Sequence, residues 1–150
     1  MEIQTTRFGV VSVRDDQVYT FPHGLIGFPD HNRFALLPAA GDGGFYWLQS
    51  ADDPELAFAL ADPGNFFKDY QVVIREETEQ ELHLNDSSQA RLLVICNKVG
   101  EWLTGNLLGP IVLNTVTCLA QQLVLTEKKW TCRQPLVKLQ GHLPLLARAA

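Results

Sequence analysis

The histidines are the first candidates for chemistry in this chain, since imidazole can bind a metal or transfer a proton. Two of the four, His23 and His31, lie close together in the sequence, and Asp30 precedes the second. Their spacing matches no familiar pattern of metal ligands. We interpret them as solvated loop histidines and predict neither a metal site nor a cofactor.

The carboxylates and glycines do not indicate an enzyme either. The acidic pairs at 15–16, 52–53 and 76–77 are adjacent in sequence, and adjacent side chains tend to diverge, which does not suit paired acid–base work. Gly24 and Gly27 form no phosphate-binding loop, because no Lys-Ser or Lys-Thr follows them. No serine stands in a Gly-x-Ser-x-Gly elbow. We therefore expect no catalytic residue.

The cysteines and the absence of targeting signals predict a cytoplasmic protein. Cys96, Cys118 and Cys132 are widely spaced and include no Cys-x-x-Cys pair, which fits reduced, buried thiols. The first residues, MEIQTTRFG, lack the basic start and apolar core of a signal peptide. No apolar run approaches the ~18 residues of a membrane span, so we expect no membrane contact.

The charge balance argues against direct binding of nucleic acid. Twelve basic and seventeen acidic residues give a net charge of -5, whereas non-specific nucleic-acid affinity comes mainly from Lys and Arg on phosphates. An acidic surface favours basic partners instead.

The three tryptophans leave a second class of function open. Trp47, Trp102 and Trp130 could form a stacking platform in a small ligand- or sugar-binding β-barrel module. Burial in a core is the commoner position for tryptophan, and we favour it for Trp47, which lies inside a predicted strand. Trp102 lies in "GEWLTGN", which resembles a loop.

The elements that must position these residues are mostly strands. Short segments with period-two alternation predict a mainly β fold, a small antiparallel β-barrel-like domain of about eight short strands with one or two short helices. "FGVVSV" and "QVYTF" flank a predicted hairpin turn at residues 14–16, and "RFALLP" and "FYWLQS" flank a second turn at 39–44. Further strands are predicted in "LAFALAD", "YQVVIR", "RLLVICNKV", "IVLNT", "QQLVL" and "KWTCR".

One helix is predicted over "EETEQELHL", residues 76–84, because straight-chain helix formers dominate there. A second helical turn could form at 66–70. We expect one domain over residues 1–137 and a separate apolar tail over 138–150, which Gly141 and Pro144 keep irregular. The chain is expected to be a monomer.

Two segments combine bends with apolar side chains and are candidates for binding another protein. In "FPHGLIGFP", residues 21–29, we place Phe21 and Ile26 in the core. Leu25 and Phe28 are expected to be partly exposed, because glycine and proline hold them on a bend.

In "GNLLGPIVLNT", residues 105–115, Asn106 and Asn114 bracket an apolar run. Two interpretations stay open: the asparagines cap turns, or the run forms a ledge for a partner. Pro110 suits a strand start, a bulge or an edge. The apolar contacts of such a ledge would be Leu107, Leu108 and Ile111.

At this point the sequence resembles the FliW family of flagellar assembly factors. The resemblance rests on ordered motifs spanning residues 3 to about 137: "FPHGLIGFP", "RFALLP", "WLQSADDPELAF", "DPGNFFKDYQ", "NLLGPIVLNT", "QQLVL" and "QPLV". Gly109 and Leu113 stand where alanine and isoleucine are usual, and "CRQPL", residues 132–136, replaces a more basic segment.

The resemblance implies a non-enzymatic β protein that binds two proteins in turn. One is flagellin, held in the cytoplasm before export. The other is the carbon storage regulator CsrA, an RNA-binding dimer that represses flagellin translation. After flagellin leaves, the released protein would capture CsrA and relieve the repression.

Overall fold

In the computed structural model, residues 1–39 and 43–139 are described. Within these ranges the chain forms eleven strands and one α-helix, in the order β1 (Glu2–Thr5), β2 (Gly9–Ser12), β3 (Val18–Thr20), β4 (Arg33–Pro38), β5 (Phe45–Ser50), β6 (Ala57–Ala61), α1 (Glu76–Glu81), β7 (Ala90–Val99), β8 (Trp102–Gly105), β9 (Ile111–Asn114), β10 (Ala120–Gln122) and β11 (Gln134–Lys138). Short 3-10 turns lie at Asp15–Gln17, Pro63–Asn65 and Ser87–Gln89. The predicted mainly β class is confirmed.

The strands form one large antiparallel sheet and a separate β1–β2 hairpin. The main path runs β10-β9-β7-β6-β5-β4-β3. Strand β7 is the branch point, because Ala90–Leu93 pairs with β9 whereas Cys96–Val99 pairs with β8, which in turn pairs with β11. The large sheet therefore splits at one end into two arms.

The sheet rolls up without closing into a complete barrel. Its two ends approach each other at an isolated backbone bridge between Thr20 of β3 and Leu119, which directly precedes β10. There the Thr20 N–H donates to the carbonyl of Cys118 at 2.8 Å. The enclosed face carries the largest core, whose fully buried members are Phe21, Phe34, Leu48, Leu60, Leu93, Ile111, Leu113 and Ala120. Each buried Phe, Leu or Ile side chain stabilises the fold by about 1.5–3 kcal/mol.

Three smaller clusters cover the outer face of the sheet. Trp47 packs with Leu103 and Leu139 under β11. Trp130 and Tyr70 pack over Val94 of β7. The β1–β2 hairpin places Ile3 and Val13 against Ala35 of β4. Both faces are therefore buried at residues 34–36 of β4 and at residues 93–94 of β7, which explains why these stretches are apolar.

Several predicted elements are confirmed and others are wrong. Strands β4 and β5 pair as predicted, and α1 lies within the predicted 76–84. The predicted hairpin at residues 14–16 is wrong, because β2 pairs with β1 whereas β3 pairs with β4. No strand forms at 70–75 or at 129–133, and residues 66–70 are not helical, since the 3-10 turn precedes them.

The C-terminal boundary also differs from the prediction. Strand β11 runs through Lys138, and Leu139 is buried in the cluster around Trp47. The first residue of the predicted tail is therefore part of a strand. The remainder, residues 140–150, lies outside the described residues, as do residues 40–42 of the second predicted turn.

Candidate functional site

The loop over residues 21–29 closes one end of the rolled sheet. Phe21 and Leu25 are buried in the enclosed core, and Phe28 packs against it while keeping part of its ring exposed. The Phe28 ring stands edge-on to Phe58, with 5.2 Å between centroids. The loop is therefore a plug rather than a free connection.

At the tip of this loop two of the burial predictions, those for Leu25 and Ile26, are wrong. Leu25 and Phe28 exchange backbone hydrogen bonds, 2.8 Å from the Phe28 N–H and 3.2 Å from the Leu25 N–H. Paired residues point to the same side of a ladder, so Leu25 and Phe28 face inward and the tip, Ile26 and Gly27, faces out. Leu25 is consequently buried, whereas Ile26 is 59% exposed. The predictions for Phe21 and Phe28 are confirmed.

Gly24 fixes the geometry of the plug. Its φ is +66°, and a Cβ placed there would lie 2.5 Å from the Phe28 carbonyl oxygen and 2.7 Å from the Pro29 Cα. Both neighbours are backbone, so neither can move aside cheaply. Only glycine fits this position.

The segment 106–110 forms a tight turn held by Asn106. The Asn106 side-chain oxygen accepts a hydrogen bond from the Leu108 N–H at 3.2 Å, and the Asn106 carbonyl accepts one from the Gly109 N–H at 3.3 Å. Gly109 lies against the side-chain amides of Asn106 and Gln122. Asn106 is therefore a turn cap that stays partly exposed.

One side chain joins this turn to the loop. Gln122 of β10 accepts a hydrogen bond from the Ile26 N–H at 2.9 Å and donates one to the Gly109 carbonyl at 3.0 Å. The two segments singled out from the sequence are therefore neighbours in space. Sequence reasoning missed Gln122, because only the fold reveals that a residue of "QQLVL" lies between two distant bends.

Asn114 is a fully buried connector. Helix α1 ends at Glu81, and helix ends leave carbonyl groups without intrahelical partners. The Asn114 amide donates to the Leu82 carbonyl at 2.7 Å and to the His83 carbonyl at 3.3 Å. Its oxygen accepts from Val116 and Thr117 N–H groups at 2.9 and 3.2 Å. The side chain thus ties α1 to the β9–β10 turn, which is the capping interpretation.

Most of the predicted apolar contacts of the ledge are buried. Leu107 and Ile111 are fully buried, and Pro110 is buried too, so their expected availability to a partner is wrong in this structure. The reason is that Ile111 of β9 lies in the enclosed core, whereas Leu107 packs with Tyr70 and Trp130 in a separate cluster. Leu108 remains partly exposed.

What remains accessible is a small mixed surface around Gln122. We call it the linked surface, and its members are Ile26, Phe28, Asn106, Leu108 and Gln122. It combines two aliphatic side chains and one aromatic ring with two amides, on backbone fixed by Gly24 and by the Asn106 cap. Such a rigid apolar patch with polar edges is typical of protein-binding surfaces.

The titratable groups form no assembled reactive centre in the part of the chain that the structure describes. His23 Nε2 lies 2.8 Å from Glu81 Oε2, and His31 Nε2 lies 3.7 Å from Asp53 Oδ2. Among residues 1–39 and 43–139 no group of three His, Cys, Asp or Glu side chains could hold a metal ion. His23 and His31 therefore each lie beside one carboxylate.

Of the three cysteines predicted to be buried, Cys96 is buried in the structure. Burial raises the pKa of the Cys96 thiol to about 12. Burial, and secondly the Asp16 carboxylate, raise the pKa of Cys118. These thiols therefore stay protonated at neutral pH and are weak nucleophiles. Cys118 is half-buried and Cys132 is exposed, so the predicted burial is wrong for Cys132 and holds only in part for Cys118.

Two of the three tryptophans are unavailable as stacking platforms. Trp47 and Trp130 are buried, as favoured for Trp47, and the Arg7 guanidinium lies 4.3 Å from the Trp47 ring centroid. Trp102 of β8 is exposed. It pairs with Val99 across the β7–β8 hairpin. A single exposed ring does not make the multi-aromatic site that the sugar-binding alternative needs.

Within the described residues, α1 and the 3-10 turns are all too short and polar to cross a bilayer.

Comparison with known proteins identifies relatives along nearly the whole chain. Residues 2–136 match the family described as "FliW protein". The flagellar assembly factor FliW of Natranaerobius thermophilus is 35% identical over 144 residues, covering 94% of this chain and 95% of the relative. The protein of the same name from Geobacter sulfurreducens is 37% identical over 137 residues, covering 90% and 86% of the two chains.

A solved structure gives the same answer for the fold. The crystal structure of the flagellar assembly factor FliW superposes with a TM-score of 0.82 at 27% identity, covering 95% of this chain and 100% of that one. Both comparisons cover nearly the whole chain, and the sequence-based resemblance is confirmed. The chain therefore belongs to the FliW family of flagellar assembly factors.

Proposed function

We propose that this protein acts in the cytoplasm as a partner-switching regulator of flagellin synthesis. In its occupied state it holds flagellin before export. In its free state it captures the RNA-binding repressor CsrA and relieves repression of flagellin translation. The observation that carries the proposal is membership of the family over residues 2–136.

Switching requires two complexes that exclude each other and have comparable affinity, so that the concentration of free flagellin decides which one forms. The chain's net charge of -5 suits CsrA, because an RNA-binding dimer must carry basic residues to hold phosphates. Attraction between oppositely charged surfaces raises the rate of association more than it raises the affinity of the complex. Affinity therefore has to come from a desolvated apolar patch.

The linked surface is the candidate for that patch. Ile26 is mostly exposed, Phe28 and Leu108 are partly exposed, and the three side chains stand on backbone that is already fixed. Because little ordering is needed on binding, more of the contact energy is available as affinity. Asn106 and Gln122 offer amide groups at the edge, which can hydrogen-bond a partner's backbone.

Calorimetric titration with purified flagellin and purified CsrA tests this assignment. We expect Ile26→Asp and Leu108→Asp to weaken binding of at least one partner by more than about tenfold, because each places a charge in the apolar patch. The matched control is Val116→Asp, since Val116 is 67% exposed on the β9–β10 turn. We expect that variant to bind within about twofold of the unmodified chain.

The possible outcomes distinguish a failure of the linked surface from a failure of the proposed function. Unchanged affinity for both partners in Ile26→Asp and Leu108→Asp would remove the linked surface from the proposal. Failure of the unmodified chain to bind either protein at micromolar concentration would overturn the function itself. Thermal unfolding of each variant shows whether the fold has survived the substitution.

A further inference from the structure

Residues 71–74, "QVVI", have the composition of a strand but no strand partner. β-branched residues dominate this segment, and it has no regular secondary structure between Tyr70 and α1. In the described part of the chain no backbone hydrogen bond involves any of these four residues. Val73 is 81% exposed. A segment of this composition normally joins a sheet, so its isolation requires an explanation.

A second unpaired backbone faces it. Beyond β10 the chain continues to pair with the 106–110 turn, since Leu123 N–H donates to the Pro110 carbonyl at 2.8 Å and Leu125 N–H to the Leu108 carbonyl at 2.7 Å. The alternate residue, Val124, directs its backbone groups the other way. No described residue bonds to them, and its side chain is 72% exposed. This is an open sheet edge.

The two segments border one groove. Val73, Arg75 and Thr78 line one side, and residues 123–127 line the other, around a cavity of about 470 Å³. That volume is within the range of binding clefts, about 300–1,000 Å³. Valines on both walls and unpaired backbone along both margins are the features of a sheet from which one strand is missing.

The charge around the groove selects the kind of strand that would fit. Glu127 stands in the wall, and Glu76, Glu77 and Glu79 follow Arg75 along the exposed surface of α1. Among the described residues that line the groove, Arg75 is the one basic residue. The surroundings are therefore acidic overall, and an incoming segment gains from lysine or arginine.

We propose that this groove receives an extended segment of a partner protein, with apolar residues alternating with basic ones, which adds a strand to the edge at 122–126 and pairs with 71–74. Backbone hydrogen bonds would supply affinity, and the valine walls with the acidic border would supply specificity. The inference rests on the proposed function for the partner being a protein. The groove is a second contact region beside the linked surface, because Leu125 bonds to Leu108.

Amide hydrogen exchange of the full chain, followed by NMR, tests the groove directly. The probe is a seven-residue acetylated and amidated peptide of alternating lysine and valine. We expect fast exchange at residues 71–74 and at Val124 in the free protein, and at least about tenfold protection when the peptide is added. The same peptide N-methylated at alternate residues keeps its charge but cannot complete the ladder, and it should give no protection.

Substitution at one exposed valine supplies the matched comparison. Val124→Lys places a positive charge at the groove, the same sign as the lysines of the peptide, whereas Val116→Lys places a positive charge on the β9–β10 turn. We expect the first to weaken peptide binding by more than about tenfold and the second by less than about twofold.

Three results would overturn the inference: protection of these amides in the free chain, no change on adding the peptide, or equal weakening in both lysine variants. If flagellin and CsrA still bind while the peptide does not, the groove fails and the proposed function stands. If neither protein binds, the proposed function fails, and the exchange data still decide the groove.

Discussion

The loop 21–29 and the segment 105–115 both place apolar side chains on a bent backbone, but they hold them by different means. The loop is shaped mainly by its own backbone: Gly24 allows the chain to double back, and the Leu25–Phe28 bridge directs the Leu25 and Phe28 side chains inward and the Ile26 side chain outward. The segment uses side-chain amides, because Asn106 caps its first turn and Asn114 anchors its end. At such bends, pairing and capping decide which apolar residues are buried, and composition alone does not.

The largest expected effect tests the backbone mechanism of the loop. Gly24→Ala should lower the free energy of unfolding by more than about 3 kcal/mol, because a methyl group would collide with backbone and φ is positive. Gly27→Ala is the control: its φ is +87° but nothing lies within 4 Å of the added Cβ. It should cost only about 1–2 kcal/mol. Urea unfolding followed by circular dichroism measures both, and equal losses would show that the close approach at Gly24 is not limiting.

The next prediction tests the side-chain mechanism of the segment. Asn114→Ala removes four hydrogen bonds at a fully buried position and should cost about 3 kcal/mol, since the Leu82 carbonyl is left without this partner. Asn106→Ala removes one partly exposed side-chain bond and should cost about 1 kcal/mol. Chemical unfolding of both variants gives the comparison. A cost at Asn106 that matches the cost at Asn114 would contradict the assignment of Asn114 as the anchor.

A third, smaller effect depends on pH. The Tyr70 hydroxyl donates to the Leu107 carbonyl at 2.7 Å, and burial, then Glu127, raise the pKa of Tyr70 to about 12. The folded state thus favours the neutral hydroxyl, so this contribution is complete below pH ~10, the unfolded pKa, and is lost as pH rises to ~12. We expect the free energy of unfolding to fall by about 2 kcal/mol more over that interval in the unmodified chain than in Tyr70→Phe. The same pH dependence of the free energy of unfolding in the unmodified chain and in Tyr70→Phe would contradict this prediction.

The sequence predicts the parts of the fold that depend on local pattern. The β4–β5 pair has alternation on both sides of a glycine-rich turn, and α1 has an unbroken run of helix formers, so both are found where expected. Strands β1, β8 and β11 could not be predicted from the sequence, because each is short and forms only by pairing with a neighbouring strand. Residues 70–75 are the opposite case: their composition predicts a strand, but no strand forms, because the segment has no neighbouring strand to pair with among the described residues.

The candidate site is less predictable than the fold. The two segments could be selected from their bends and apolar residues. Which of Leu25 and Ile26 is buried, however, depends on which residue pairs with Phe28, and a shift of one residue in that pairing would reverse the result. Gln122 could not be selected at all, because its importance comes from contacts with Ile26 and Gly109, which are distant in sequence.

The most direct test of partner switching is size-exclusion chromatography with light scattering on the chain mixed with equimolar flagellin and CsrA at micromolar concentration. We predict two binary complexes, each containing this protein, and release of CsrA as flagellin is increased. A stable species containing all three proteins, or elution of this protein alone throughout the titration, would contradict the account.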